Sequence, residues 1–230
     1  VYFLSIGLLW NLQVPINIGI VTTALDAIFS NMVRGLEYVR GEPLLVGVVL
    51  ITILMNVMLF PYQNMVPVVA KNVLEVGPGL MGILLAMDGL GAMIGAIVIA
   101  SASKLRYHGR LYAAGTTLCL VSLLLFSVSR SYVLSLPILL TIGIGAGIFS
   151  SLQGAIVVLL APEELRGKAL GVMSLAIGTG PFGALFIGIV ANMKGATFAL
   201  GLNGVIGLFI IGLIAFFVPA IRRPILVDPE

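Results

Sequence analysis

The sequence predicts an all-α bundle of membrane-spanning helices, and three observations support that fold class. First, hydrophobic residues make up 60% of the chain and charged residues only 9%, which is far from the balance of a water-soluble domain. Second, the chain contains six apolar stretches near the roughly 20 residues that a helix needs to cross a bilayer. They lie at 43–66, 78–101, 110–129, 132–160, 169–192 and 197–219, and together form one domain at 43–219.

The third observation is that the basic residues fall mainly on one side when successive loops are assigned alternately to the two membrane faces. One face receives nine of them: Arg34, Arg40, Lys104, Arg106, Arg110, Arg166, Lys168, Arg222 and Arg223. The other receives three, Lys71, Arg130 and Lys194. By the positive-inside rule the first face is cytoplasmic. The sequence thus predicts a multi-pass inner (plasma) membrane protein with a cytoplasmic C-terminus, whose excess cations meet lipid headgroups and do not indicate nucleic-acid binding.

The segments that flank the predicted bundle have distinct patterns. Residues 1–22 are predicted to be the truncated end of an earlier span followed by a linker, which makes the chain a fragment. Residues 23–42 carry apolar side chains at helical spacing and predict a cytoplasmic amphipathic linker helix. Two placements remain open for it, on the lipid headgroups or against the bundle. Residues 220–230 are predicted to form a cytoplasmic tail.

A weak internal repeat relates the second predicted span to the fifth. Four pairs coincide when the chain is shifted by 89 residues: Glu75 with Glu164, Gly82 with Gly171, Gly89 with Gly178 and Gly91 with Gly180. These two spans enter the bilayer from opposite sides. A genuine repeat would therefore be an inverted 3+3 repeat, an arrangement typical of transporters, whereas chance matches between abundant glycines are the alternative.

Small residues recur at helical intervals within the spans. Gly91 and Gly95 form one such stripe, and Gly143 and Gly147 form another. Small side chains let helix backbones approach closely in lipid, so these glycines are predicted to pack helices together and to permit sliding during gating. Prolines within spans free backbone carbonyl groups and predict bend points or local kinks. Those prolines are Pro61 and Pro181, the latter followed by Gly183, which is also a gating candidate.

Asp88 is the one acidic residue that falls inside a predicted span. A charge at the bilayer centre costs about 2.5–3.5 kcal/mol on insertion scales, so this side chain is expected to face the bundle interior or a wet cavity. Apolar surroundings favour the protonated carboxyl, which makes Asp88 a candidate for proton coupling or solute binding. The structural alternative is a hydrogen bond to Asn56 or to another polar group.

Three uncharged polar residues also lie at membrane depth and are candidates to line a solute path with Asp88. They are Asn56 and Gln63 in the first span and Gln153 in the fourth. Each of them is alternatively a hydrogen-bonding contact between helices, worth about 0.6 kcal/mol. Tyr62 and Tyr112 lie near predicted span ends, where interfacial tyrosines are common.

The loop before the fifth span carries a specific pattern of acids, bases and glycines. It reads Pro162-x-Glu164-x-Arg166-Gly167-x-Ala169-x-Gly171, and the span that follows contains Gly178-x-Gly180-Pro181-x-Gly183. This pattern resembles the loop between helices 10 and 11 of the major facilitator superfamily. Residues 35–46, together with Phe60-Pro61-Tyr62 and Val73-Leu74-x-Val76-Gly77-Pro78, resemble its branch of enterobactin exporters and macrolide efflux pumps.

The resemblance implies that the chain is the C-terminal half of such a transporter, helices 7–12. The superfamily's signature in the loop between helices 8 and 9 is matched by Gly95, Lys104, Arg106, Gly109 and Arg110. The acid of that signature is not supplied at 101–103. We therefore expect this loop to orient the protein by its positive charge.

Function is expected to be secondary active transport. The resemblance implies proton-coupled export of an organic solute, such as a siderophore or a drug, by an antiporter that alternates access between the two faces. Its partners would be the solute, protons, the lipid bilayer and an N-terminal six-helix half. The sequence offers no clustered nucleophile, acid–base pair or metal ligands, so we expect no enzyme activity, no metal and no cofactor. A non-transporting membrane scaffold or a channel subunit is the alternative.

Overall fold

The computed structural model describes residues 24–102 and 107–224, with side chains from Ser30 onward. Two flanking predictions, for residues 1–22 and for the chain beyond Pro224, lie outside the described residues. The helices are α1 (Ala24–Gly41), α2 (Pro43–Leu54), α3 (Tyr62–Asn72), α4 (Pro78–Ser101), α5 (His108–Val128), α6 (Tyr132–Leu160), α7 (Glu163–Ile177), α8 (Gly180–Lys194) and α9 (Ala196–Phe217).

Six helical segments of the described chain are long and apolar enough to cross a membrane. They are Pro43–Asn72, Pro78–Ser101, His108–Val128, Tyr132–Leu160, Glu163–Lys194 and Ala196–Phe217. The predicted all-α fold with six spanning helices is therefore confirmed. The first span consists of α2 and α3, and the fifth consists of α7 and α8.

The first and fifth spans are longer than the sequence predicts. The first continues through Pro67 to Asn72, because a membrane helix tolerates a proline when neighbouring groups satisfy the freed carbonyl. The fifth begins at Glu163 rather than at 169, with Glu163 and Glu164 in its first turn. Acidic side chains interact favourably with the positive end of a helix, so this charged stretch starts the helix and does not form a loop.

The packing of α4 on α6 depends on glycine. A Cβ atom at Gly91 would meet the backbone carbonyl of Leu140, and one at Gly143 would meet the carbonyl of Asp88. Gly95 and Gly147 face the opposite helix in the same way, towards Ile144 and Ala92. The two backbones are thus close enough that no side chain fits between them at these four positions.

A second close contact lies between α6 and α5, on the other side of α6. A Cβ atom at Gly145 would lie 2.6 Å from the carbonyl oxygen of Gly115 and 2.6 Å from the thiol of Cys119. The Cys119 thiol donates to the carbonyl of Ile142 at 3.3 Å. The helix α6 is therefore held between α4 and α5 by small residues.

The helix α1 packs against the bundle, the second of the two placements that the sequence left open. Its Gly35 faces the carbonyl oxygen of Lys168, 2.7 Å from where a Cβ atom would stand. The Tyr38 hydroxyl donates to the carbonyl of Leu160 at 2.9 Å. Burial, and then the charge of Glu42, raise the pKa of Tyr38 above its ordinary value, so this hydroxyl keeps its proton and remains a donor.

A 3₁₀ turn at Pro219–Arg222 folds back onto the end of the bundle where α2 and α5 begin. Its Ile221 is buried, with the side chain against Gly47 of the first span and the backbone carbonyl against Gly109 of α5. The Arg110 Nε donates to the carbonyl of Arg222. This turn therefore fastens the end of α9 to the starts of α2 and α5.

Candidate functional site

The first span is broken near its middle. Residues Met55–Leu59 form a π-helical turn, in which the Phe60 N–H reaches the Met55 carbonyl at 2.9 Å. Pro61 follows and has no N–H to donate, and α3 begins at Tyr62. Turns of this kind are frequent at functional sites. The sequence predicted a bend or kink at Pro61 but not the π turn before it.

The fifth span is broken beside the first. The helix α7 ends at Ile177, and α8 starts at Gly180 with Pro181 in its first turn, where a proline is well tolerated. A Cβ atom at Gly183 would meet the Val57 carbonyl, so α8 approaches the π turn at backbone distance. The second span, which the predicted repeat pairs with the fifth, is the continuous helix α4 and has no such break. The inverted repeat remains a prediction.

An amide of the sixth span stabilises the π turn. The Asn203 Nδ2 donates to the Met58 carbonyl at 2.9 Å, and Asn203 is fully buried. Its Oδ1 has no partner among the described residues. Our sequence reasoning missed this residue, although a single amide within the apolar stretch 197–219 is a visible signal of a polar contact.

A pocket of about 330 Å³ lies where the two breaks meet. Its lining combines two amides with apolar and proline side chains: Asn56, Phe60, Pro61, Asn64, Gly180, Pro181 and Ala184. The Asn56 Nδ2 donates to the carbonyl of Thr52, which belongs to the preceding turn, at 2.9 Å. Asn56 thus lines the pocket, and its amide donates to the Thr52 carbonyl rather than to Asp88.

Asp88 lies near the middle of α4 and is half-buried. Its Oδ2 accepts a long hydrogen bond, 3.5 Å, from Nε2 of Gln63, which is exposed near the start of α3. Tyr62, adjacent to Gln63, is buried, and its hydroxyl faces the same carboxylate. The structure thus brings together Asp88 and Gln63 of the predicted set, directly after the break in the first span.

Gln153 belongs to a separate polar network that joins the first, third and fourth spans. Its Nε2 donates to the Thr52 hydroxyl at 2.9 Å, and that hydroxyl lies 2.9 Å from the Tyr112 hydroxyl. The Tyr112 ring stacks on Phe149 at 4.9 Å between ring centroids. The interfacial positions predicted for Tyr62 and Tyr112 are wrong, because both side chains are buried within the bundle.

We expect Thr52→Val to lower the thermal stability of the protein more than a matched change does. The valine leaves the half-buried Gln153 amide without its partner and takes one bond from the fully buried Tyr112 hydroxyl, and an unsatisfied buried polar group costs about 1–3 kcal/mol. For a domain of this size that corresponds to a melting temperature lower by about 2–4 °C per kcal/mol. Thr116→Val is the control, because Thr116 is equally buried but bonds only to the Tyr112 carbonyl of its own helix. Equal melting temperatures for the two variants in mild detergent would show that the network contributes nothing.

Comparison with known proteins identifies the family. The model of the Major Facilitator Superfamily matches residues 16–229, nearly the whole chain. The chain belongs to this superfamily. It is 27% identical over 207 residues to the "Multidrug efflux pump Tap" of Mycolicibacterium fortuitum, a match that covers 86% of this chain and 48% of that protein. The chain therefore spans about half the length of this curated relative.

The loop motifs that carried the superfamily resemblance have definite places in this structure. Glu164, Arg166 and Gly167 lie on the first turns of α7, where the Arg166 Nε donates to the Ala161 carbonyl just after α6. Gly109 and Arg110 begin α5 and contact the 3₁₀ turn. Lys104 and Arg106 lie outside the described residues. The superfamily fold and the six apolar spans make this a multi-pass membrane protein.

Proposed function

We propose that this chain is the C-terminal half of a secondary transporter that exports an organic solute in exchange for protons. The observation that carries the proposal is the position of Asp88, an intramembrane carboxylate directly beside a broken spanning helix. Ionisable residues inside membranes mark ion pathways and solute sites. Broken helices at the membrane midplane are where transporters bind their solutes.

The chemistry of the site favours an amphiphilic solute. The pocket at the two breaks presents amides among apolar side chains, and Asp88 adds one negative charge beside them. A drug with an apolar body and a cationic group is complementary to this combination, since the cation and a proton would compete for the carboxylate. The name of the Tap relative, a multidrug efflux pump, supports the same solute class. A siderophore is the second candidate solute.

The proposed partner of this chain is an N-terminal six-helix half. The match to only 48% of the Tap protein supports it. Large apolar side chains on α4 and α8 are exposed, including Ile97, Leu185 and Ile189. They would face lipid or the other half as the two halves rock against each other. The nine-to-three distribution of basic residues supports an inner-membrane location with the C-terminus in the cytoplasm.

A reconstitution experiment tests the proposal. The full-length protein, expressed from the complete reading frame, is placed in proteoliposomes that are acidic inside, with ethidium outside as a permanently cationic fluorescent probe. We expect ethidium to accumulate inside and to leave when an ionophore collapses the pH gradient, whereas protein-free vesicles stay empty. Movement without a response to the gradient would contradict proton coupling. No movement of ethidium, a macrolide or a ferric catecholate would favour the scaffold or channel-subunit alternative.

A further inference from the structure

A cavity of about 350 Å³, separate from the pocket at the two breaks, lies at one end of the bundle. Six spans run from Pro43 to Phe217, so the start of the first and the end of the sixth lie at the same membrane face. By the alternation of the loops, that face carries nine of the twelve basic residues. The lining combines two arginines with apolar and proline side chains: Arg40, Pro43, Val46, Phe217, Val218, Pro219, Ala220 and Arg223. The cavity therefore lies at the level where helix ends meet lipid headgroups.

The two arginines belong to packed backbone on opposite sides of the cavity. Arg40 lies in the last turn of α1, directly after Val39, which is only 3% exposed. Arg223 follows the 3₁₀ turn, where its N–H donates to the Ala220 carbonyl at 3.1 Å and where Ile221 is buried. The packing of α1 and of this turn thus fixes the spacing between the two arginine backbones.

The cavity is positively charged, and nothing in the described chain neutralises it. Both arginine side chains are exposed, and neither has an ion-pair or side-chain hydrogen-bond partner within residues 30–102 and 107–224. No acidic residue of the described chain lines the cavity. A guanidinium group suits phosphate, because its planar fork can donate two parallel hydrogen bonds to the phosphate oxygens. Two unpaired arginines at one cavity therefore favour a phosphate-bearing ligand.

Exposed apolar side chains continue from the cavity towards the middle of the membrane. Val46 and Leu50 lie one helical turn apart on α2, and Phe217 and Leu213 lie one turn apart on α9, so each pair shares a helix face. Phe217 is 73% exposed, and Leu50 and Leu213 are each 40% exposed. These four residues form an apolar lane. A ligand with both a phosphate group and a hydrocarbon chain covers the arginines and the lane together, whereas free phosphate covers only the arginines.

We propose that this cavity binds an anionic phospholipid, with Arg40 and Arg223 on its phosphate group and an acyl chain along the apolar lane. Basic pockets between spanning helices are known to hold the headgroups of anionic lipids. The lining comes from α1 and from the ends of the first and sixth spans, so a bound lipid holds these three elements together. The inference depends neither on Asp88 nor on the transported solute.

Native mass spectrometry of the purified full-length protein in mild detergent tests the inference, because it resolves each bound lipid by its mass. The protein is titrated with phosphatidylglycerol, which is anionic, and with phosphatidylcholine, which is zwitterionic and carries the same acyl chains. We expect the first phosphatidylglycerol to bind more tightly than phosphatidylcholine. Each arginine contributes about fivefold to such affinity, so the double variant Arg40→Gln/Arg223→Gln should weaken binding of the first phosphatidylglycerol by about 25-fold.

The double variant Arg34→Gln/Arg222→Gln is the matched control. It removes the same charge from α1 and from the 3₁₀ turn, but neither of its residues lines the cavity. All four arginine side chains are exposed, so both double variants should fold. We expect the control to retain the tight phosphatidylglycerol site. Equal binding of the two lipids by the wild type, or equal losses in the two double variants, would overturn the inference.

Phe217→Ala tests the apolar lane, with Phe216→Ala as its control. Both rings are 73% exposed, but of the two only Phe217 lines the cavity. Partial loss of the apolar contact should weaken phosphatidylglycerol binding by about fivefold in Phe217→Ala and leave it unchanged in Phe216→Ala. Equal effects of the two alanine variants would show that no acyl chain follows the lane. Displacement of the lipid by an equal concentration of inorganic phosphate would identify a phosphate site and contradict a lipid site.

Discussion

Asp88→Asn is expected to abolish uphill, gradient-driven export by the full-length protein while leaving membrane insertion intact. Asparagine keeps the size of the side chain and accepts the bond from Gln63, but it cannot exchange a proton. Coupling between two sites is typically worth about 5–150-fold. We expect that gain to be lost entirely, so that ethidium in acid-loaded proteoliposomes rises no higher than its outside concentration.

Glu75→Gln is the control for this prediction. Glu75 is an exposed carboxylate in the turn between α3 and α4, outside the spanning helices. It should not affect the response to the pH gradient. Retained gradient-driven accumulation in Asp88→Asn would remove this residue from proton coupling and leave it a structural partner of Gln63. Exchange of ethidium at equal pH on both sides needs no net proton movement, so a weaker exchange in the asparagine variant would report the loss of the negative charge that attracts the cation.

Gly143→Val is expected to have the largest effect on folding. A side chain at Gly143 meets the backbone carbonyl of Asp88, and backbone atoms cannot move aside as a flexible side chain can. Overpacking typically costs about 1–3 kcal/mol, and a contact between two backbones belongs at or above the upper end of that range. We expect little monodisperse protein on size-exclusion chromatography in mild detergent, and a sharply lower melting temperature for any that remains.

Gly154→Val tests whether this effect comes from the contact or from valine in a helix. Gly154 lies on the same helix, α6, and a Cβ atom there would meet no atom of another helix within 4 Å. It should behave nearly as the wild type does. Equal yields and melting temperatures for the two valine variants would contradict the proposed role of the glycine contact between α4 and α6.

The parts of the fold that the sequence predicted well depend on composition and local spacing. Apolar length is set by bilayer thickness, so the six spans could be counted directly. Glycines at helical spacing, such as Gly91 and Gly95, have few uses in lipid other than close helix contact, and they face α6. The end of α7 near Gly178 was harder, because glycine and proline in a membrane helix permit a break without requiring one.

The polar contacts could not be derived from the sequence, because each depends on which helices become neighbours. Thr52 looked like one more residue of an apolar span, yet its hydroxyl joins Tyr112 and Gln153. Tyr112 lies near a helix end, a position that suits the lipid interface equally well. Asn203 could have been suspected, but its partner is a backbone carbonyl in a π turn that no residue pattern revealed.

The buried position of Ile221 has a mechanical consequence. The buried Ile221 and the hydrogen bond from Arg110 to the Arg222 carbonyl connect the ends of three helices, α2, α5 and α9, at the same edge of the bundle. A displacement at any one of these three helix ends is therefore expected to reach the other two through the same short turn.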